Sequence, residues 1–253
     1  MNDPFSVANK KFLITGGTRG LGRAISIRLA RSGAHVIANY VRDKKSADEL
    51  EAEAQKEGLS IETIRADVTS AKGLTLLNDV MAEKAPLLSG LIHCAVTGVH
   101  HPIEELTTRH FDFTYAVNVR AFFELVKMLL PRFGNGSTVT AVSTVGAVRA
   151  VEQYTLTGSS KGALESLARH FAAELAPKGI RVNILSAGAL LTDAWKVLPD
   201  SKNRLQRSAE QSPLGRLTTL EEVANAAQFL CSDASSGILG HTLVVDVGCR
   251  IVE

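Results

Sequence analysis

Cysteine is scarce in this chain. Its 253 residues hold three, Cys94, Cys231 and Cys249. They are too few and too scattered for a disulfide framework or a thiolate zinc site, so a reducing compartment is expected. Long apolar runs are missing as well. No stretch reaches the roughly 18 residues of a membrane span, and residues 1–9 lack the apolar core of a secretory signal. An excess of one charge is also absent. The 28 Lys and Arg against 26 Asp and Glu leave a net +2, which offers no electrostatic handle for nucleic acid or an anionic membrane. Repeats, low-complexity tracts and Pro/Ser-rich linkers are not found. A cytoplasmic protein that works without nucleic acid or membrane is the expectation.

What the chain does have is apolar residues, 45% of the total, enough for one core at a length ordinary for a single α/β domain. Short apolar runs alternate with longer amphipathic ones. Residues 11–15 (KFLIT) read as a buried strand, followed by Leu21, Ala24, Ile25 and Leu29 at helical spacing up to Gly33. Residues 35–40 (HVIANY) read as the next strand, and Ala47, Leu50 and Ala54 mark a second helix. Residues 61–66, 91–95, 139–143, 181–185 and 242–245 are further strand candidates, with helical segments between most of them. This alternation predicts one doubly wound, Rossmann-type α/β domain over residues 1–253, its parallel sheet flanked by helices. Ligands of such sheets sit outside the carboxyl ends of the strands, where the features below fall.

Residues 15–22 read TGGTRGLG, between the first strand and the first helix. Glycine lets a phosphate approach the main chain, and a helix N-terminus supplies free N–H groups and a positive dipole end. Glycines alone also suit a plain turn. The strand–turn–helix setting points instead to a dinucleotide.

In that setting Thr-Gly-x-x-x-Gly-x-Gly resembles the short-chain dehydrogenase/reductase (SDR) superfamily, and the resemblance runs through most of the chain. Asp67-Val68 resembles the family's adenine-contacting pair, and Asn118 its mid-helix Asn. Residues 181–183 and 186–188 resemble the strand and loop beside the nicotinamide, 190–214 the substrate loop, and 240–248 the last strand. One departure is His93-Cys94-Ala95-Val96, where the family has Asn-Asn-Ala-Gly. The resemblance implies a nicotinamide dinucleotide on Gly16, Thr18, Arg19, Gly20, Leu21 and Gly22, with Tyr40 and Arg42 closing the second strand. It further implies contacts from Asp67, Val68, Cys94, Ala95, Lys161, Gly188, Leu190 and Thr192. An acid at the end of the second strand would suit NAD. Here no carboxylate comes before Asp43, while Arg42 and Arg19 supply two guanidinium groups. Such groups bind a 2′-phosphate bidentately, so NADPH is expected; the plain alternative is a pair of solvated arginines.

Most SDR enzymes carry a Ser and then Tyr-x-x-x-Lys. Ser143 and Lys161 fit, but the residue four before Lys161 is Thr157, and an alkyl hydroxyl is a far poorer acid than a phenol of pKa about 10. Tyr154 offers a replacement as Tyr-x6-Lys. Seven residues make about two helical turns, which puts both side chains on one face with Cα atoms roughly 10 Å apart. This spacing resembles the bacterial enoyl-acyl-carrier-protein reductases, a divergent SDR branch, as do residues 143–154, 161–164, 186–188 and 191–193. The intact glycine loop and Asn39-Tyr40-Val41-Arg42 look closer to its NADPH-using members. Many members also have a second Tyr ten residues before the first, where this chain has Thr144. The resemblance implies hydride transfer from NADPH to a trans-2-enoyl thioester on acyl carrier protein. Tyr154 would bond the enolate oxygen, Lys161 would hold the ribose hydroxyls, and Ser143 would assist. A homotetramer is implied too, and the apolar stripe of Ala163, Leu164, Leu167, Ala168, Phe171 and Leu175 is compatible with core or subunit contacts.

Other features have plainer readings. His100-His101 looks like a metal pair, but neighbours on an extended segment point apart, and no metal is expected. Lys44-Lys45 reads as the solvated start of a helix. Trp195, with Leu190, Leu191 and Leu198, suits an apolar cover over an acyl chain or an ordinary flap. Two other functions stay open: a ketoreductase or alcohol dehydrogenase of the ordinary SDR type, and a dinucleotide-binding protein without catalysis.

Overall fold

The computed structural model describes residues 3–192 and 200–252. Seven strands form one sheet in the order β3-β2-β1-β4-β5-β6-β7, all pairs parallel. They are β1 (Lys11–Thr15), β2 (His35–Tyr40), β3 (Ile61–Arg65), β4 (Leu88–His93), β5 (Phe133–Thr144), β6 (Arg181–Ala187) and β7 (Thr242–Val245). The winding reverses between β1 and β4, and the cleft of such a sheet opens at that switch point. Register brings the carboxyl ends level there, with Thr15 opposite both Asn39 and His93. The fold class expected from the alternation is the one found.

Helices cover both faces: α1 (Gly20–Arg31), α2 (Lys44–Glu57), α3 (Ala71–Lys84), α4 (Thr108–Tyr115), α5 (Ala121–Leu129), α6 (Thr155–Leu175), α7 (Ser201–Glu210) and α8 (Leu220–Cys231). Their boundaries follow local chemistry. Asp43 caps α2 by accepting from the Ser46 N–H at 3.0 Å, and Gly58 ends it at φ 67°, a left-handed conformation that glycine adopts without a Cβ clash. One π-turn, Ala116–Arg120, joins α4 to α5 and buries Asn118; such turns are frequent at functional sites. One core packs α3, α5 and α6 on the sheet through residues such as Leu77, Phe122 and Leu164. The other packs α1, α2 and α8 through Ile25, Leu50 and Val223.

Four strands differ from their expected bounds; β3 stops one residue short, at Arg65, and β6 runs on two residues to Ala187, while β4 and β5 shift further. β5 begins at Phe133 rather than 139, because Phe133 pairs with Leu88 before a register shift, and the Ser137 hydroxyl donates to the Leu88 carbonyl at 2.9 Å. β4 stops at His93, short of 95, because the Ala95 N–H leaves the ladder and donates to the Thr15 hydroxyl at 3.2 Å. Among the described residues no helix is long and apolar enough to cross a membrane.

Phe122 anchors the first core. It is fully buried, its ring 5.5 Å from His93 and 5.7 Å from Phe171. Phe122→Ala is expected to lower unfolding stability by about 3–5 kcal/mol, read from the urea midpoint. A loss under about 1 kcal/mol would show that this contact does not carry the core.

Candidate active site

The glycine loop is shaped by what cannot fit in it. A Cβ on Gly22 would lie 2.1 Å from the Gly16 carbonyl oxygen, and one on Gly16, at φ 64°, would lie 3.1 Å from the Ala95 nitrogen. The loop therefore lies flat on the first turn of α1 and against the end of β4. Its flanking residue Arg19 gives α1 no side-chain cap, and the first turn holds no acid. Open N–H groups at a positive helix end, beneath a surface without Cβ atoms, suit a phosphate chemically. Thr18 is buried within the loop, and Thr192 sits over Gly20, where a Cβ would lie 3.8 Å from Cγ2.

At the end of β2 the nearest carboxylate is turned away. Both Asp43 oxygens are taken, one by the Ser46 N–H at 3.0 Å and the other by its hydroxyl at 2.8 Å. These bonds, with Arg19 nearby, hold the Asp43 carboxyl below its usual range. Arg19 and Arg42 are exposed, and Tyr40 is half-buried. On β2 itself Asn39 is buried; its side-chain amide donates to the Ala66 carbonyl at 2.8 Å, while its backbone carbonyl accepts from the Gly17 N–H at 3.0 Å. Beyond β3, Asp67 is exposed, its carboxylate accepting from the Thr69 N–H and hydroxyl, and Val68 is buried.

The unusual His93-Cys94-Ala95-Val96 run keeps the end of β4 ordered by its own means. His93 is fully buried, and its Nδ1 pairs with the Thr15 hydroxyl at 2.9 Å; that same hydroxyl accepts from Ala95. Burial pushes the His93 pKa down to about 3, so the ring is neutral and one nitrogen can accept. Cys94 beside it has its thiol pushed up to about 12 by burial and is inert. Asn118 then clamps the next stretch. It accepts from the Thr97 N–H and donates to the Thr97 carbonyl, both at 2.9 Å, and donates to the Ser160 hydroxyl at 2.9 Å.

Lys161 lies on α6, almost completely buried, with its Nζ donating to the Val142 carbonyl at 2.7 Å. Burial lowers its pKa to about 8, against the opposing influence of Cys94 and Glu165. Ser143 and Thr144 point to opposite sides of β5, as neighbours on a strand must. The Ser143 hydroxyl donates to the buried Glu165 at 2.5 Å, fastening β5 to α6. The Thr144 hydroxyl instead meets the phenol of Tyr154 and pulls its pKa down, against a larger upward push from burial. Thr144, which the sequence marked only as a departure from the family's second Tyr, is thus a site neighbour, and Ser143 is placed away from Tyr154. Glu165 was also missed, although a carboxylate four residues after Lys161 in an apolar stripe is a visible signal.

Tyr154 precedes the first turn of α6 rather than lying inside it, with φ −116° and ψ 13°. Its ring edge rests on Gly146, where a Cβ would sit 2.6 Å from Cε1, and near Gly158. Thr157 is turned elsewhere. It is 2% exposed, and its Oγ1 would lie 2.2 Å from a Cβ on Gly98. The chain leaves no room there for a tyrosine. His100 stacks on Tyr154, while His101 pairs with Glu105 at 3.0 Å, so the two histidines do not converge. Gly188 packs on Thr218 and Asp246, and Leu190 bridges to Thr218. Trp195 and Leu198 lie outside the described residues.

A family model described as enoyl-(acyl carrier protein) reductase matches residues 16–250. The 1-cyclohexenylcarbonyl-CoA reductase of Streptomyces collinus is 34% identical over 242 residues, covering 95% of this chain and 86% of that one. The 7alpha-hydroxysteroid dehydrogenase of Escherichia coli (strain K12) is 32% identical over 251 residues, covering 98% and 96%. The crystal structure of an enoyl-[acyl-carrier-protein] reductase (NADH) from Aquifex aeolicus VF5 superposes with a TM-score of 0.90 at 26% identity, covering 97% and 98%.

Lys161 yields a test that needs no substrate. Its folded pKa of about 8 lies below the ordinary 10.5. Between those values the unfolded chain binds the proton that the folded chain has released, so its contribution to stability rises with pH. Below pH 8 the folded protein carries the whole cost of the buried charge. Lys161→Met should therefore be more stable than wild type at pH 7, with the gap narrowing from pH 8 to 10. Urea midpoints of the ligand-free proteins measure this. A pH-independent gap would contradict the buried, weakened amine.

Proposed function

The chain belongs to the short-chain dehydrogenase/reductase superfamily, and from that premise we propose an NADPH-dependent reductase of the carbon–carbon double bond in an enoyl thioester. The observation that carries this reading is the Tyr154 phenol. It lies next to Thr144, while Thr157, four residues before Lys161, is buried against Gly98. Two comparisons support it. The family model is described as an enoyl-(acyl carrier protein) reductase, and the Streptomyces relative is named for reducing a cyclohexenylcarbonyl thioester of CoA.

A reduced nicotinamide held at the glycine loop would supply hydride to the β-carbon of the substrate. Negative charge then develops on the thioester oxygen. Burial keeps Tyr154 protonated, so its hydroxyl donates to that oxygen as an enolate forms. The Thr144 hydroxyl steadies the phenol, in the place first assigned to Ser143. Lys161 adds positive potential beneath the site and offers its amine to ribose hydroxyls. The enolate then takes a proton from solvent at the α-carbon, so the hydride and that proton together saturate the double bond.

NADPH fits the end of β2, where Asp43 is occupied by Ser46 and the exposed Arg19 and Arg42 remain for a 2′-phosphate. The Aquifex enzyme is named for NADH, so this choice rests on these residues alone. Acyl carrier protein is the proposed carrier. A homotetramer is proposed from the exposed Phe111, Phe113 and Phe123 on α4 and α5, beside a groove lined by Tyr115, Val119 and Leu167. An alcohol dehydrogenase is the second reading, favoured by the Escherichia relative and weakened by the missing phenol at 157.

Steady-state assays with crotonyl thioester test the reading. Tyr154→Phe keeps the ring in its slot, and kcat should fall about 10²–10³-fold, the usual cost of one lost oxyanion donor, with NADPH affinity nearly unchanged. Thr157→Val should cost much less. In wild type kcat/KM should favour NADPH over NADH by at least about tenfold, since each charge-assisted contact is worth about 1.5–3 kcal/mol. A mild Tyr154→Phe beside a dead Thr157→Val would reverse the assignment, and equal use of the two cofactors would remove the 2′-phosphate argument.

A further inference from the structure

Tyr154 is held by more than its own helix. The His100 imidazole stacks on the phenol with ring centroids 5.4 Å apart and planes 18° apart. This loop residue also lies over Gly98: a Cβ there would be 3.2 Å from His100 Nε2 and 2.2 Å from Thr157 Oγ1. The imidazole and the threonine hydroxyl thus converge on one small space. His100 Nδ1 and Thr157 Oγ1 are both buried and, among the described residues, have no hydrogen-bond partner, so no polar contact of those two atoms with the described residues places the ring there. On its other flank His100 meets the Gln153 carbonyl, in a residue at φ 55° that carries the chain into Tyr154. Such a left-handed turn costs a non-glycine residue energy and persists where its surroundings hold it.

We propose that His100 is the positioning residue for Tyr154: its imidazole, seated over Gly98 in front of Thr157, fixes the plane of the phenol against Gly146. Parallel ring contacts favour a particular offset and orientation, and that orientation decides where the Tyr154 hydroxyl points. The inference rests on the enoyl reductase reading for its catalytic consequence, but the contact itself does not. Among the described residues, two charged or titratable groups act on His100, Arg204 and His101. Arg204 of α7 reaches towards His100 and bonds Glu152 at 3.1 and 3.2 Å, and His101 is paired with Glu105. Burial, the Arg204 charge and His101 keep the imidazole pKa low, against the Gln153 carbonyl, so the ring meets the phenol in its neutral form at pH 7.

Three variants test this. His100→Ala removes the ring, His100→Phe restores a flat ring without nitrogens, and Tyr154→Phe assigns the signal. With crotonyl-CoA and NADPH, His100→Ala should lose at least about tenfold in kcat, within the roughly 10² that a small misplacement of a reacting group can cost. NADPH affinity should stay within twofold, and His100→Phe should recover most of the loss. Independently of activity, ultraviolet difference titration of the phenolate should show Tyr154 ionising at lower pH in His100→Ala than in wild type, a step missing in Tyr154→Phe. Wild-type kcat in His100→Ala, a His100→Phe as impaired as His100→Ala, or an unmoved Tyr154 titration would each overturn the proposal. If wild-type protein reduces no enoyl thioester, the functional reading fails, and the titration alone still decides the role of His100.

Discussion

Room for one phenol ring is the constraint on which the site depends. Gly146 and Gly158 keep that room open. A Cβ on Gly146 would collide with the Tyr154 ring, and a Cβ on Gly158 would lie 2.6 Å from the Gly146 carbonyl. The turn after β5 can therefore lie directly on the first turn of α6. Tyr154 is gripped at that junction, next to the Thr144 hydroxyl, with Lys161 two turns further along the helix. The sheet supplies the frame: β4 and β5 end side by side, and the Thr15–His93–Ala95 and Asn118–Thr97 contacts hold the loop that carries His100.

Electrostatics at this junction comes from burial more than from ion pairs. The phenol is pushed up and the lysine amine pulled down, each because its charged form loses water. A protonated phenol near a weakened cation is suited to receiving negative charge on a substrate oxygen. It is less suited to being a free phenolate. The same low-polarity surroundings keep His93 neutral and hold the Cys94 thiol in its unreactive protonated form.

Much of this was legible in the chain, for identifiable reasons. A parallel sheet buried on both faces writes its strands as continuous apolar runs, and so KFLIT and HVIANY declared β1 and β2. The glycine loop was legible because steric crowding demands glycine at Gly16 and Gly22. Ser143 against Thr144 was not. Two adjacent hydroxyls on a strand face opposite ways, and only the register of β5 on β6 decides which one meets Tyr154. The end of β4 was overextended because a side-chain hydroxyl from β1 took the Ala95 N–H. For His100 the sequence offered only a metal pair to set aside and no positive role, because its stacking partner lies 54 positions along the chain, a contact that no local pattern encodes.

The central claim is that this site stabilises an enolate and reduces a carbon–carbon double bond. The most direct test is competition in one vessel: crotonyl and acetoacetyl thioesters at equal concentration, limiting NADPH, and mass spectrometry of the products. With both substrates present, the product ratio is the ratio of kcat/KM. The account predicts butyryl thioester in large excess over 3-hydroxybutyryl thioester, with deuterium from labelled NADPH at the former β-carbon. Predominant 3-hydroxybutyryl product, or no consumption of either thioester by cofactor-binding protein, would contradict it.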